Sequence, residues 1–207
     1  SGGKAIENLL VRKCKITSLH WNAGSKNCKI SQCVSTWDIY SIYYYEQQNL
    51  NFENCWLYSS RGSGLSSTIM YDHCIIGGTA DGYAHYTNSI ILKGGLPENC
   101  TSYNNIFTAG SIGSNVTGEN NWTGIGIDGI FTDTEQGGDY TPTNAFVLCF
   151  PKKYVGSDGT EVGINGGNAP FDRISPIPRI LSSEIDTRTT GEGKLKVSLQ
   201  VQAQTKE

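Results

Sequence analysis

Tyr71-Asp72-His73-Cys74, with Asp81 nine residues after Asp72, sets two carboxylates and an imidazole in one short stretch, and the basic residues Arg61 and Lys93 flank it. Carboxylates can hold a divalent cation, and a bound cation acidifies a proton alpha to a carboxylate group. A basic side chain within hydrogen-bond reach can then take that proton. Arg61, Asp72, Asp81 and Lys93 are therefore the candidate catalytic residues. Neither Arg61 nor Lys93 belongs to a recognisable catalytic phrase. Moreover, Asp72-His73-Cys74 stands at the same place in a repeat as Glu53-Asn54-Cys55 and Ser31-Gln32-Cys33. Repeat geometry alone accounts for the cluster.

A second constellation comes from counting back along the repeat. Seven residues before Asn27, Asn49, Thr68 and Asn88 stand His20, Ile42, Arg61 and Asp81; three before Asn49 and Asn88 stand Glu46 and His85, and five before them Tyr44 and Tyr83. Trp21, Trp37, Tyr40, Tyr43, Tyr45 and Tyr86 fall in the same segments. Aromatic faces beside carboxylates suit sugar rings, which present a CH face and a rim of hydroxyls. His20, Trp21, Tyr44, Glu46, Arg61, Asp81, Tyr83 and His85 are thus the candidate binding residues for a polysaccharide. The competing expectation is that these aromatics only cover the fold under longer loops. His20, His73 and His85 are too scattered in sequence for a metal site, and no cofactor is expected; Ca²⁺ enters only with the lyase chemistry.

The elements that must position these residues are repeats. Asn8–Ile16 (NLLVRKCKI), Asn27–Ser35 (NCKISQCVS), Asn49–Leu57 (NLNFENCWL) and Thr68–Ile76 (TIMYDHCII) each place a cysteine six residues after their first. Cys14, Cys33, Cys55 and Cys74 follow one another at 19, 22 and 19 residues. A weaker fifth copy starts at Asn88 and a sixth at Asn99. Each unit carries a short alternating run flanked by Gly, Ser and Asn, which reads as a strand. One such unit cannot bury its apolar face alone, so copies must stack, at about 4.8 Å per coil, into a solenoid of parallel sheets. Equivalent cysteines then form a ladder of buried, unpaired thiols whose Cβ vectors run parallel, and equivalent asparagines form an amide ladder. A zinc site lacks its CxxC pairs. A leucine-rich repeat lacks its LxxLxLxxN pattern.

Composition agrees. Twenty-five glycines, 11 tyrosines and a single methionine in 207 residues describe turn-rich β-structure. The net charge of −3, with no basic block, sets nucleic acid aside, because neutralising phosphates needs a basic stripe. No apolar run reaches the length of a membrane span. The chain begins in mid-pattern at Ser1, and a processed or trimmed product is expected.

Repeat spacing is lost between Thr108 and Gly129, which reads as a long loop or an irregular coil, and the sequons at Asn99, Asn115 and Asn121 fit exposed loops. Near the end, Leu195, Val197, Leu199 and Val201 alternate with polar residues after a Gly191–Gly193 turn. That pattern predicts a hairpin over roughly Arg179 to Gln204, packed on the solenoid. The expected organisation is parallel coils with an irregular closing coil over residues 1–178 and a hairpin tail over residues 179–207.

Between Ile130 and Gly167, Phe131 and Asp133, Asp139-Tyr140, Asp158-Gly159, Glu161-Val162-Gly163 and Gly166-Gly167 resemble a phrase that ends the helix in bacterial right-handed parallel β-helix proteins. Asn165 departs from the tyrosine common there, and Asn144-Ala145-Phe146 from a Ser-Pro segment. With the tail KLKVSLQVQAQ, the chain is similar to the secreted, pectin-lyase-like β-helix proteins of gut Bacteroidetes. The resemblance implies an all-β, right-handed parallel β-helix and an extracellular or cell-surface location. Asp72-His73-Cys74 with Asp81 also looks like a phrase of pectate lyases, which use Ca²⁺ and a basic residue on polyuronates. The downstream Arg-x-Pro-x-x-Arg segment of those enzymes is not found, nor is the Gly-His-Gly of polygalacturonases. Two functions compete: a monomeric polysaccharide-binding β-helix without catalysis, and a polysaccharide lyase or glycoside hydrolase acting on acidic glycans.

Overall fold

The computed structural model describes residues 6–17, 19–21, 24–36, 39–41, 47–61, 68–138, 140, 144–172, 179–185 and 197–202. They form two units, Ser1–Phe171 and Asp172–Glu207. The first is a parallel β-solenoid. One sheet holds Ile6–Glu7, Leu10–Arg12, Ser25–Ser31, Gln48–Glu53, Ile69–Asp72, His85–Thr87 and Thr101–Tyr103. A second holds Lys15–Ile16, Val34–Ser35, Trp56–Leu57, Ile75–Ile76, Ile90–Ile91, Ile106–Phe107 and Trp122–Thr123. A third, at the corner between coils, pairs Leu19–Trp21, Ile39–Ser41 and Ser60–Arg61.

Alternation in the first sheet decides what fills the lumen. Ile30, Phe52, Tyr71 and Tyr86 pair in register and point inward. Phe52, Tyr71 and Tyr86 stack face to face at successive centroid distances of 5.1 Å. The tyrosine hydroxyls are not abandoned there: Tyr86 donates to the Asp81 carbonyl at 2.6 Å and accepts from its N–H at 2.9 Å. Burial pushes the Tyr71 and Tyr86 phenols well above the usual tyrosine range.

Between the first and second sheets the chain turns through a left-handed residue in every coil: Lys13, Gln32, Asn54, His73, Asn88, Asn104 and Asn120 all have φ between 49° and 59°. Asparagine tolerates this conformation best, which explains its recurrence. The next residue's N–H is aimed at the following coil, where a small acceptor receives it. Cys14 donates to Cys33 Sγ, Cys33 to Cys55 Sγ, Cys74 to Ser89 Oγ, Ser89 to Asn105 Oδ1 and Asn105 to Asn121 Oδ1. The cysteine ladder therefore continues as serine and asparagine, because the position selects a small hydrogen-bonding group rather than sulfur as such.

This ladder corrects two expectations and decides a third. The fifth copy starts at Tyr83 and not at Asn88, since His85 pairs with Met70. The ladder spacing shortens there to 15 and then 16 residues. Thr108 to Gly129 is an irregular coil and not a free loop: Thr117 bridges Thr101, Trp122 pairs with Ile106, and the Asn115 amide donates to Asn99 Oδ1 at 3.0 Å as Asn49 does to Asn27. Finally, Cys14 is exposed, on the outermost described rung, whereas Cys33, Cys55 and Cys74 are buried.

All seven cysteines are unpaired. The hydrogen bond with Cys55, followed by burial, raises the Cys33 thiol; burial raises Cys55 and lifts Cys100 to about 11. Since the thiolate is the reactive form, a disulfide-exchange reagent at mildly alkaline pH is expected to label Cys14 first. The buried thiols should react only after denaturation, when all seven titrate without reductant. A disulfide between any two ladder cysteines would contradict the stacking.

The second sheet is apolar on both faces. Leu57, Ile76, Ile91 and Phe107 point into the lumen, while Val34, Trp56, Ile75, Ile90 and Ile106 face outward into a second core. The segment from Ile127 onward covers that outer face with Ile130, Phe131, Phe146, Leu148, Tyr154, Val162 and Ile164. Residues 130–167 thus do not close the solenoid as another coil. They return along its outside, antiparallel to the stacking direction, and the left-handed turn residues hold them. Asn104 Nδ2 donates to the Val155 carbonyl, Asn88 O accepts from Gly163 N–H, Asn54 Nδ2 donates to the carbonyls of Ile164 and Gly166, and Gln32 Nε2 donates to those of Ala169 and Pro170.

In the second unit, Arg179–Ile185 and Val197–Gln202 pair antiparallel with Ile185 opposite Val197. The Gly191–Gly193 turn and Leu195 lie outside the described residues, as does the surface expected beneath the tail.

Candidate functional site

Where the returning segment passes the edge of the first sheet, the two enclose a groove of about 690 Å³. Strand parity lays its floor. Residues that alternate with the lumen row point outward, and the register aligns them across strands: Lys29, Asn51, Met70 and His85 in one row, Ser31, Glu53, Asp72 and Thr87 in the next. Ser157, Asp158, Gly167, Asn168 and Ala169 of the returning segment form the wall.

His73 joins floor to wall. It is 2% exposed, with Nδ1 3.1 Å from Asp72 Oδ1 and Nε2 3.1 Å from Thr160 Oγ1. This order of carboxylate, imidazole and hydroxyl is that of a hydrolytic triad. The hydroxyl, however, is committed: Thr160 donates to Asp158 at 2.9 Å and accepts the Gly167 N–H at 2.7 Å. A nucleophile needs a free lone pair and an open approach. The arrangement is therefore a clasp that fixes the wall, not an activated alcohol.

Asn88 reinforces the clasp. Its amide donates to Asp72 Oδ1 at 3.1 Å, and its Oδ1 accepts the Ser157 N–H at 2.8 Å. Burial of the Asp158 carboxyl opposes its ionisation, but hydrogen bonds from the Thr160 N–H and hydroxyl, with His73 nearby, outweigh this and hold it below the usual carboxylate range. Lys29 Nζ lies 2.5 Å from Glu53 Oε2, so the one ammonium group among the described residues of the groove is already paired.

Of the residues singled out by sequence, Asp72 and His85 line this groove. The other candidates are placed elsewhere. By backbone register Arg61 pairs with Tyr40, Tyr40 with His20, and Trp21 with Ser41 in the third sheet. Counting had set Ile42 at that level; pairing puts Tyr40 there. Asp81 is tied through its backbone to Ser60 and Tyr86 at the inner corner. Tyr83 is the left-handed residue that begins its coil, and Tyr86, grouped by sequence with the surface aromatics, is fully buried in the lumen. Lys93 is exposed after the second sheet, its N–H bonded to the Gly78 carbonyl. Tyr44 and Glu46 lie outside the described residues. Sequence reasoning missed Lys29, Asn51, Glu53 and Thr87, which strand parity alone could have flagged, and Thr160, which no local signal marks.

Among the described residues, no group of three or more His, Cys, Asp or Glu side chains is placed to hold a metal ion. No described helix is long and apolar enough to cross a membrane. No protein-family model, curated protein or solved structure matches the chain.

Proposed function

We propose that this chain is an extracellular or cell-surface β-helix that binds a polysaccharide strand in the groove of the first sheet, without catalysis. The observation that carries the reading is the floor: successive coils, about 4.8 Å apart, turn Lys29, then Asn51 and Glu53, then Met70 and Asp72, then His85 and Thr87 outward along an open groove with a fixed wall. A sugar chain laid along the solenoid axis meets amide, carboxylate, imidazole and hydroxyl groups in succession, with Met70 as an apolar patch among them. The resemblance to secreted, right-handed β-helix proteins of gut Bacteroidetes supports the location, the right-handed winding and the carbohydrate ligand. A monomer suffices, because every groove residue comes from one chain.

Binding is favoured over the lyase reading by the placement of the basic residues: Arg61 belongs to a strand of the third sheet, Lys93 follows the second, and Lys29, which lines the groove with Asp72, is paired with Glu53. Incubation with polygalacturonate and Ca²⁺ at mildly alkaline pH is expected to give no 4,5-unsaturated product by ultraviolet absorbance. A steady rise that disappears in Arg61→Ala or Lys93→Ala would replace binding with catalysis. A glycan array should show retention that Asp72→Ala weakens; an array without any retained glycan would remove the proposal.

A further inference from the structure

The two ends of the solenoid are open sheet edges, and they match. Among the described residues, Ile6–Glu7, Leu10–Arg12 and Lys15–Ile16 pair on one side only, and at the other end so do Trp122–Thr123 and the bridge residue Thr117. Leu9, Val11 and Ile16 at the first end and Val116 at the second are only half-buried against the lumen core, and Leu10 is 63% exposed. An open edge of this kind is a template for another strand. Within the chain, the N–H groups of each coil reach forward to the next: Asn8 donates to the Lys26 carbonyl, Lys13 to that of Ser31 and Cys14 to Cys33 Sγ. Further along, Asn99 donates to the Ser114 carbonyl, Asn104 to that of Glu119 and Asn105 to Asn121 Oδ1. Turn amides donate backward, Asn49 to Asn27 and Asn115 to Asn99.

At the far end the N–H groups of Asn115, Asn120 and Asn121 find no acceptor among the described residues. Carried one coil further, the pattern asks for the carbonyls of Glu7 and Arg12, for Cys14 Sγ and for the amide of Asn8, all on exposed residues of the first coil. Register supplies the side chains as well. Leu10, Lys29, Asn51, Met70, His85, Thr101 and Thr117 form one outward row. A first coil laid on the last in that register sets Leu10 over Thr117, Leu9 over Val116 and Arg12 over Glu119. The last is a cross-strand pair of opposite charge. Charge is divided between the ends in the same sense: residues 6–17 carry Arg12, Lys13 and Lys15 against Glu7, whereas residues 112–135 carry Glu119, Asp128, Asp133 and Glu135 and no Lys, Arg or His. Lys13 is engaged within the chain, so the match rests on Arg12 and Lys15.

We infer that copies of this chain stack end to end, the first coil of one on the last coil of another, with Arg12 of the arriving copy over Glu119. Like ends are not self-complementary, because two first coils set basic against basic and two last coils acid against acid. A contact between unlike ends does not close on itself, so the assembly is an open linear stack whose length grows with concentration. The outward rows of the first sheet run on from each copy to the next. The groove is complete in one chain, so this inference goes beyond the glycan reading and does not depend on it.

The test is sedimentation of the whole chain from micromolar to millimolar concentration, with circular dichroism to check the fold of each variant. The average mass should rise steadily, without a plateau at two chains. Arg12→Glu and Glu119→Arg should each weaken association about tenfold, since a reversal turns one attractive cross-strand pair into a repulsive one. Lys152→Glu, an exposed base away from both ends, should change nothing. An equimolar mixture of the Arg12→Glu and Glu119→Arg variants should associate as the parent does, because every contact between unlike variants pairs a base with an acid; a misfolded variant could not give this restoration. Labelling of Cys14 should slow as the mass rises, because Asn121 of the neighbouring copy covers it. A mass of one chain at every concentration would mean that the ends are covered from within the chain, and a plateau at two chains would mean a closed dimer; either overturns the stacking. So would variants that associate alone as well as mixed, or Cys14 labelling that stays constant while the mass rises.

Discussion

Trp56→Ala is expected to cost about 3–5 kcal/mol of folding stability, the range for truncating a large buried aromatic side chain. Trp56 is 2% exposed and lies where the solenoid meets the returning segment. Its register neighbours Val34 and Ile75 flank it in the second sheet, Tyr140 packs against it at 5.5 Å, and Gly77 leaves room for its ring. Truncation would leave a void that rigid strands on one side cannot close. Trp56→Phe should cost much less, because the indole N–H is buried without a partner and its removal loses no hydrogen bond. Urea unfolding followed by circular dichroism measures both; an alanine variant as stable as the parent would show that the outer core carries little of the fold.

The second large effect is expected at Gly166. A Cβ there would stand 1.7 Å from the Glu161 carbonyl oxygen and 2.6 Å from His73 Cδ2. The first contact is backbone, so no rotamer relieves it. Gly166→Ala must displace the Glu161–Gly166 turn, and with it the bond from Asn54 Nδ2 to the Gly166 carbonyl and the Gly167 N–H bond to Thr160. The loss belongs at the upper end of the about 1–3 kcal/mol typical of overpacking, with the damage confined to the wall of the groove. Hydrogen exchange should accelerate across residues 155–170 while the lumen strands stay protected, and glycan retention should fall. Unchanged exchange in that segment would mean that the turn relaxes without releasing the clasp.

The solenoid itself was legible because four cysteines and their flanking alternation share one period. The sixth start at Asn99 was legible too, but the fifth was misplaced and the coil after Asn115 missed, because the signal was read as cysteine when the physical requirement is an acceptor for one N–H per coil. Ser89, Asn105 and Asn121 meet that requirement as well as sulfur does, and the corner loop shrinks at the same point, so spacing and residue type changed together. The doublets Ile75-Ile76, Ile90-Ile91 and Ile106-Phe107 break period-two alternation. Apolar residues on both faces of a strand mean that both faces are covered, and this was the available clue to the outer core. The clasp left no such clue. Gln32 meets the carbonyl of Pro170 across 138 residues, and no periodicity reaches that far. Asp72 and His85 were found as chemistry-bearing residues, but the grouping by loop count placed them with Arg61 and Asp81, whereas strand parity places them with Asn51, Glu53 and Thr87.

The returning segment also changes when the chain can become stable. Coils in a repeat stack touch only their neighbours, so a solenoid can in principle settle one coil at a time, starting with those made first. Here the turns at Gln32, Asn54, Asn88 and Asn104 each wait for a partner between residues 155 and 170, and the coil containing Gln32 waits for the last of them. The coil of Gln32, made before those of Asn54, Asn88 and Asn104, is thus secured after them. Until residue 170 emerges, the outward row of Val34, Trp56, Ile75, Ile90 and Ile106 faces water as one continuous apolar strip, and the nascent chain depends on a chaperone or on rapid completion to avoid association through it.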